Sequence, residues 1–240
     1  MIAERIPESA MVIVAHPDDA EFTVAGTVAA WTRAGCKCIY VLCTDGNAGS
    51  HEPGMTRERL GAIRRLEQRA ACSVLGVHEV VFLGYDDGLL QPTLELRRDL
   101  VRLVRQFRPE VVLTSDPTSL FHGEDYINHP DHRAAGQAAL DAVAPAAAMP
   151  LLWPELGAPH RVRRVYIHGN GQPTVWIDVT DTIALKVEAL RMHASQMGEW
   201  DPTEMIYGWA AENGKEKGLA YAERFRRMFL VRPDEEQVSD

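Results

Sequence analysis

Along this chain, short runs of continuous apolar residues alternate with longer stretches in which apolar positions recur every three or four residues. Residues 11–15, 38–43, 79–83 and 110–114 have strand length and are dense in Val, Ile and Leu, the composition of strands buried on both faces. Between them, residues 20–34, 56–75 and 94–107 predict helices, and Leu60, Ile63, Leu66, Ala70 and Ala71 fall at helical spacing in the second. Gly35 and Gly76 close the first two helices, as suits a left-handed turn, and Pro109 separates the third from the strand that follows. Beyond residue 144 the pattern loosens into Ala and Pro. It recovers as two later strands, 162–167 and 174–179, and a helix over 181–197, with residues 232–240 expected to fray. This order predicts an α/β fold: a Rossmann-like, mostly parallel sheet with helices on both faces and right-handed crossovers. A chain of 240 residues can form this as a single domain over residues 1–240, with its core at about 11–200.

Parallel topology gathers the loops that leave the strands at one edge, where open α/β sheets place their ligands. That edge collects His16, Asp18, Asp19, Asp45, Asp86, Asp87, His122, Asp125, His129 and His132. Two clusters stand out: His16-Pro17-Asp18-Asp19 directly after the first strand, and His129-Pro130-Asp131-His132 after a later one. Either has an ordinary explanation, since Asp18 or Asp19 would cap a helix from residue 20 and Asp131 one from about residue 133. Capping does not account for the histidines, which in both loops stand three residues from another side chain able to bind metal. Two imidazoles and one carboxylate around a divalent metal leave a coordination position open for water. Zinc is the natural occupant, although iron, manganese, cobalt and nickel accept the same ligand types. Bound water acquires a pKa near neutrality, and a free carboxylate can take its proton as it attacks a carbonyl. Asp18 and Asp19 suit a division into ligand and base, and their spacing alone leaves open which is which. The remaining histidine, if protonated, would stabilise an oxyanion or protonate a leaving amine.

Composition narrows the alternatives. A formal net charge of −9 speaks against a nucleic-acid partner, which would need a basic face. Basic residues bunch within 57–69 and 97–108, yet these are helices whose solvated faces explain them. The polar first eight residues carry no signal pattern, and no run approaches a membrane span, so a cytoplasmic protein acting on a small molecule is expected. Homo-oligomerisation stays open, and the poorly patterned residues 144–161, with Trp153, serve either as a substrate rim or as a subunit contact. Cys36, Cys38, Cys43 and Cys72 lack C-x-x-C spacing and read as reduced, buried thiols, the first two expected on opposite faces of a strand. No G-x-G-x-x-G follows the first strand, no Lys-Ser or Lys-Thr follows Gly46 and Gly49, and no G-x-S-x-G is present. Dinucleotide, Walker-type and serine-hydrolase sites are therefore disfavoured.

The chain resembles the PIG-L/LmbE-like family of zinc-dependent N-acetylglucosaminyl deacetylases. The resemblance rests on His16-Pro17-Asp18-Asp19, Thr44-Asp45-Gly46, the stretch 64–67 leading to Leu75-Gly76-Val77, the loop 83–88 and His129-Pro130-Asp131-His132. It covers most of residues 11–142, with further support from Lys186 and His193-Ala194-Ser195-Gln196. It implies that His16, Asp19 and His132 hold zinc, that Asp18 is the general base, and that His129 polarises the oxyanion or acts as an acid. Arg64 would position substrate, unless it is an ordinary helix-surface residue. Asp87 and Asn128 would bind sugar hydroxyls or serve in turns, and His193 would touch substrate or be structural. His122 and Asp125, in the long loop before the second motif, are candidates to replace or supplement a ligand. Several relatives place Glu directly after the aspartate pair, where this chain has Ala20 and then Glu21. The implied reaction removes an N-acetyl group from an N-acetylglucosamine-type amino sugar or its glycoside. The alternatives are an amidase for a bulkier amide such as a thiol conjugate, and a non-catalytic sugar-binding protein, which a free carboxylate beside every proposed ligand disfavours.

Overall fold

The computed structural model describes residues 5–169 and 171–231, so the expected fraying of residues 232–240 lies outside the described residues. The strands are β1 (Ser9–Val14), β2 (Lys37–Thr44), β3 (Glu79–Tyr85), β4 (Val111–Ser115), β5 (Phe121–His122), β6 (Tyr126–Ile127), β7 (Arg164–His168), β8 (Val175–Asp178) and β9 (Ala222–Phe229). The helices are α1 (Asp19–Thr23), α2 (Ala25–Arg33), α3 (Arg57–Leu75), α4 (Leu94–Phe107), α5 (Pro130–Val143), α6 (Ile183–Arg191), α7 (Ala194–Met197) and α8 (Thr203–Lys215). One sheet has the order β3-β2-β1-β4-β7-β9-β8. Its first five strands run parallel, and β9 is antiparallel to both β7 and β8. The α/β reading holds: a mostly parallel sheet with helices on both faces.

Alternation along the strands sorts the two cores. Met11, Ile13, Ile39, Val41 and Val112 pack beneath α4 and α5, whereas Val12, Val14, Tyr40, Leu42 and Leu113 face α2, α3 and α6. Helix limits follow local chemistry. The Thr56 hydroxyl accepts the amide of Arg59 at 3.2 Å to start α3, and Gly76, at φ 71°, ends it.

Several expectations need correction. The helix predicted over 20–34 is two helices, broken at Val24. The break is held by Glu223, whose carboxylate accepts the Gly26 and Thr27 amides at 2.9 and 2.8 Å and so caps α2 from a distant strand. The helix over 181–197 is likewise α6 and α7, interrupted at Met192 and His193. Neither α8 nor β9 was foreseen. Cys36 and Cys38 lie in the same core with their sulfurs 3.7 Å apart, because residues two apart on an extended chain share a face. All four thiols are free and buried. Residues 144–161 are ordered around the buried Arg105 guanidinium, which donates to the carbonyls of Ala146, Ala147, Met149, Leu152 and Trp153. Among the described residues no helix is long and apolar enough to cross a membrane.

Candidate metal centre and active site

After β1 the chain runs left to β2 and β3, then returns to β4 on the other side, so the carboxyl ends of β1 and β4 flank the topological switch point. His16 to Asp19 leave β1 there, and the segment after β4 returns through the small β5–β6 hairpin to His129 and α5. The ring centroids of His16, His129 and His132 lie 4.9 to 5.3 Å from one another. The two motifs, over a hundred positions apart in sequence, thus form one site.

Hydrogen bonds fix which nitrogen each imidazole presents. His16 Nε2 lies 3.0 Å from Asp87 Oδ1 and 3.2 Å from Asp131 Oδ2, while its Nδ1 is 3.6 Å from Asp19 Oδ2. His132 places Nδ1 3.1 Å from Asn128 Oδ1 and Nε2 3.0 Å from Asp19 Oδ1. An imidazole whose N–H is taken by a carboxylate or amide oxygen offers the other nitrogen's lone pair. His16 Nδ1 and His132 Nε2 therefore converge on Asp19. Asp19 Oδ2 already accepts the amides of Ala15 and His16, at 3.1 and 2.8 Å, which leaves Oδ1 to face His132 Nε2. Among the described residues two sets of potential ligand atoms lie within 4.8 Å of one another, His16 with His129 and His132, and His16 with Asp87 and Asp131. Neither contains Asp19, His122 or Asp125. Of these groupings the Asp87–Asp131 contacts to Nε2 have hydrogen-bond lengths and orient the ring.

Charge at this edge is lopsided. Asp18, Asp19, Asp87 and Asp131 converge, with Arg64 as the paired cation on Asp18. Burial alone would lower the pKa of His16 and His132, yet Asp19 and the other carboxylates raise both. Burial likewise opposes charge on Asp19, but the His132 and His16 rings hold it well below the usual carboxylate range. A pocket whose negative charge overcomes desolvation in this way is suited to a cation, and metal would compete there with protons.

Asp18 differs from its neighbour. Burial pushes its carboxyl up to about 6 against the pull of Arg64. It occupies the N-cap position of α1 without a side-chain cap bond, at φ 88°. Arg64 Nη2 donates to Asp18 Oδ2 at 3.0 Å and to the Pro17 carbonyl at 2.6 Å, and Nη1 donates to the Gly46 carbonyl at 3.0 Å. A Cβ at Gly46 would run into this guanidinium, which explains the glycine. His129 caps α5 instead of the expected Asp131: its Nδ1 accepts the Asp131 amide at 3.2 Å. Because Nδ1 accepts that amide, a ring proton is carried on Nε2; burial and the neighbouring His16 lower the pKa of the ring.

The other sequence-predicted residues have internal partners. Asn128 Nδ2 donates to the Ser119 carbonyl, so the side chain is committed between that carbonyl and His132. Asp87 is held by His16 and by the Ala48 amide, and its pKa falls to about 2, burial opposing and His16 dominating. His193 is fully buried, 3.3 Å from Glu21 Oε2. Asp45 pairs with Arg65, and Asp86 with Arg57. Residues that the sequence reading missed are Gln68, which accepts the Asp18 amide, and His168 at the carboxyl end of β7. Gln68 stands one helical turn after Arg64 on α3, a spacing visible in the sequence.

The PIG-L profile, described as GlcNAc-PI de-N-acetylase, matches residues 11–143. Diacetylchitobiose deacetylase of Thermococcus kodakarensis is 33% identical over 220 residues, spanning 88% of this chain and 79% of its own. A 1D-myo-inositol 2-acetamido-2-deoxy-alpha-D-glucopyranoside deacetylase of Actinosynnema mirum is 27% identical, spanning 87% of each chain. The structure of N,N'-diacetylchitobiose deacetylase from Pyrococcus horikoshii superposes with a TM-score of 0.84 at 30% identity, covering 92% of this chain and 84% of that one.

Proposed function

Since the chain belongs to the PIG-L family, we propose that it is a metal-dependent N-deacetylase that hydrolyses the acetamide of an N-acetylglucosamine-type sugar or its glycoside. His16, Asp19 and His132 would hold the divalent metal, with zinc favoured by the mixed imidazole and carboxylate donors. Once bound, such a metal supplies Lewis acidity and a water of near-neutral pKa. The observation that carries the reading is the approach of His16 Nδ1 and His132 Nε2 to Asp19 beside a second, half-buried carboxylate, Asp18.

The chain's own groups divide the remaining work. Asp18 takes the proton of the attacking water, and its ion pair with Arg64 keeps the carboxylate aimed while burial keeps it basic enough to accept. His129, with its proton on Nε2 and partly exposed to the cleft, donates to the oxygen that gains charge as the carbonyl becomes tetrahedral. Asp18 then returns its proton to the departing amine. Asp87 and Asn128 are assigned to orienting His16 and His132, and Arg64 to holding Asp18, in place of direct contact with sugar. A soluble small-molecule substrate fits the acidic chain and the substrates named for its relatives.

Bound metal and acetate release from a panel of N-acetylglucosaminides, with and without chelator, test the proposal. Turnover that survives complete metal removal would overturn it. Comparing acetyl with longer acyl groups on the same sugar separates a deacetylase from an amidase of bulkier amides.

A further inference from the structure

Asp18 holds a left-handed backbone, φ 88°, that a non-glycine residue adopts only under constraint. Arg64 grips its carboxylate and the preceding carbonyl, but neither bond touches its amide. That amide donates to Gln68 Oε1 at 3.2 Å. Arg64 and Gln68 lie one turn apart on α3, so a single helix face holds Asp18 by its side chain and by its backbone. A primary amide can present either oxygen or nitrogen, and only the oxygen serves here. The choice is made behind it: Gln68 Nε2 donates to Glu21 Oε1 at 2.9 Å, so the oxygen must face Asp18. Glu21 Oε2 in turn faces His193 Nε2 at 3.3 Å, an ion-pair separation outside good hydrogen-bond geometry. Gln68, Glu21 and His193 are each fully buried. Apolar side chains would fill this volume at lower desolvation cost.

We propose that Gln68, oriented by Glu21 and His193, is a positioning residue for the reaction, holding the Asp18 backbone in the conformation that aims its carboxylate at the site. The proposal rests on Asp18 being the base. None of the three residues touches substrate. They act through one amide, and through the direction of one side-chain carbonyl.

The test compares wild type, Gln68→Leu, Gln68→Glu and the exchanged pair Gln68→Glu with Glu21→Gln. Gln68→Leu removes the acceptor, and kcat is expected to fall by about ten- to a hundredfold, the cost of a modest misplacement, with KM and bound metal unchanged. Gln68→Glu sets two carboxylates against each other and is expected to be comparably slow. The exchanged pair restores one carboxylate and one amide in reversed order, leaves an acceptor for the Asp18 amide, and is expected to recover most of kcat. Amide hydrogen exchange at Asp18 gives a readout that needs no turnover: protected in wild type, faster in Gln68→Leu, slow again in the exchanged pair. Unchanged Asp18 exchange and kcat in Gln68→Leu would overturn the proposal, as would an exchanged pair no better than Gln68→Glu. A wild type with protected Asp18 but no acetate release would refute the deacetylase reading alone.

Discussion

His168 offers a quantitative check on the electrostatics of the carboxyl edge. It ends β7, and burial brings its pKa from 6.5 down to about 4. Its Nε2 lies 3.4 Å from the Ser115 hydroxyl, and among the described residues no carboxylate forms an ion pair with the ring. In the unfolded chain the imidazole regains its ordinary affinity for protons, so between about pH 6.5 and 4 the unfolded state binds the extra proton and acid favours unfolding. The stabilisation is complete above 6.5 and is lost as the pH falls through that window. At about 1.4 kcal/mol for each tenfold change in proton affinity, the gap is worth about 3 kcal/mol. His168→Asn keeps a polar group without a titrating one. Urea midpoints of both proteins, measured with chelator from pH 7.5 to 4, should show the variant's handicap shrinking by about 3 kcal/mol as the pH falls. His16 and His132 titrate in both proteins and cancel in the difference. Parallel stability curves for the two proteins would refute the reasoning.

Asp18→Asn should lower kcat by about a hundred- to ten-thousandfold while metal content measured by mass spectrometry stays at the wild-type level; full activity would show that the base lies elsewhere. Asn128→Leu removes the acceptor on His132 Nδ1 and should weaken metal affinity by about ten- to a hundredfold in a competitive chelator titration. Arg105→Lys cannot serve five carbonyls with one ammonium and should cost about 2–4 kcal/mol in urea unfolding, an unchanged midpoint counting against the hub described for residues 144–161.

What could be read from the sequence was the part whose cause is local. β1, β2 and β4 are uninterrupted apolar runs, and a helix face repeats along α3. The pair of histidine motifs was legible for the same reason, since topology alone brings strand ends to one edge. What was illegible depended on distant partners. The break at Val24 has no local signal, because its cap, Glu223, is supplied from β9. β9 itself carries Glu223, Arg224, Arg226 and Arg227 and pairs with strands on both sides, so charge concealed an internal strand. By residue type, Asn128 and Asp87 suit either sugar hydroxyls or turns. The structure sets them against the imidazoles, a distinction that residue type does not encode.

β9 also has a consequence for the order of events in synthesis. It lies inside the sheet, between β7 and β8, and its Glu223 anchors both the start of α2 and the Lys186 ammonium. Residues 16–19 and 129–132 leave the ribosome well before it does. The nascent chain thus carries every proposed metal ligand and the proposed base while the helix behind them still lacks its cap. The cap of α2 is supplied only when residues 222–229 emerge and pair between two strands already made. Chains released before that point would carry the motif without the frame that sets it.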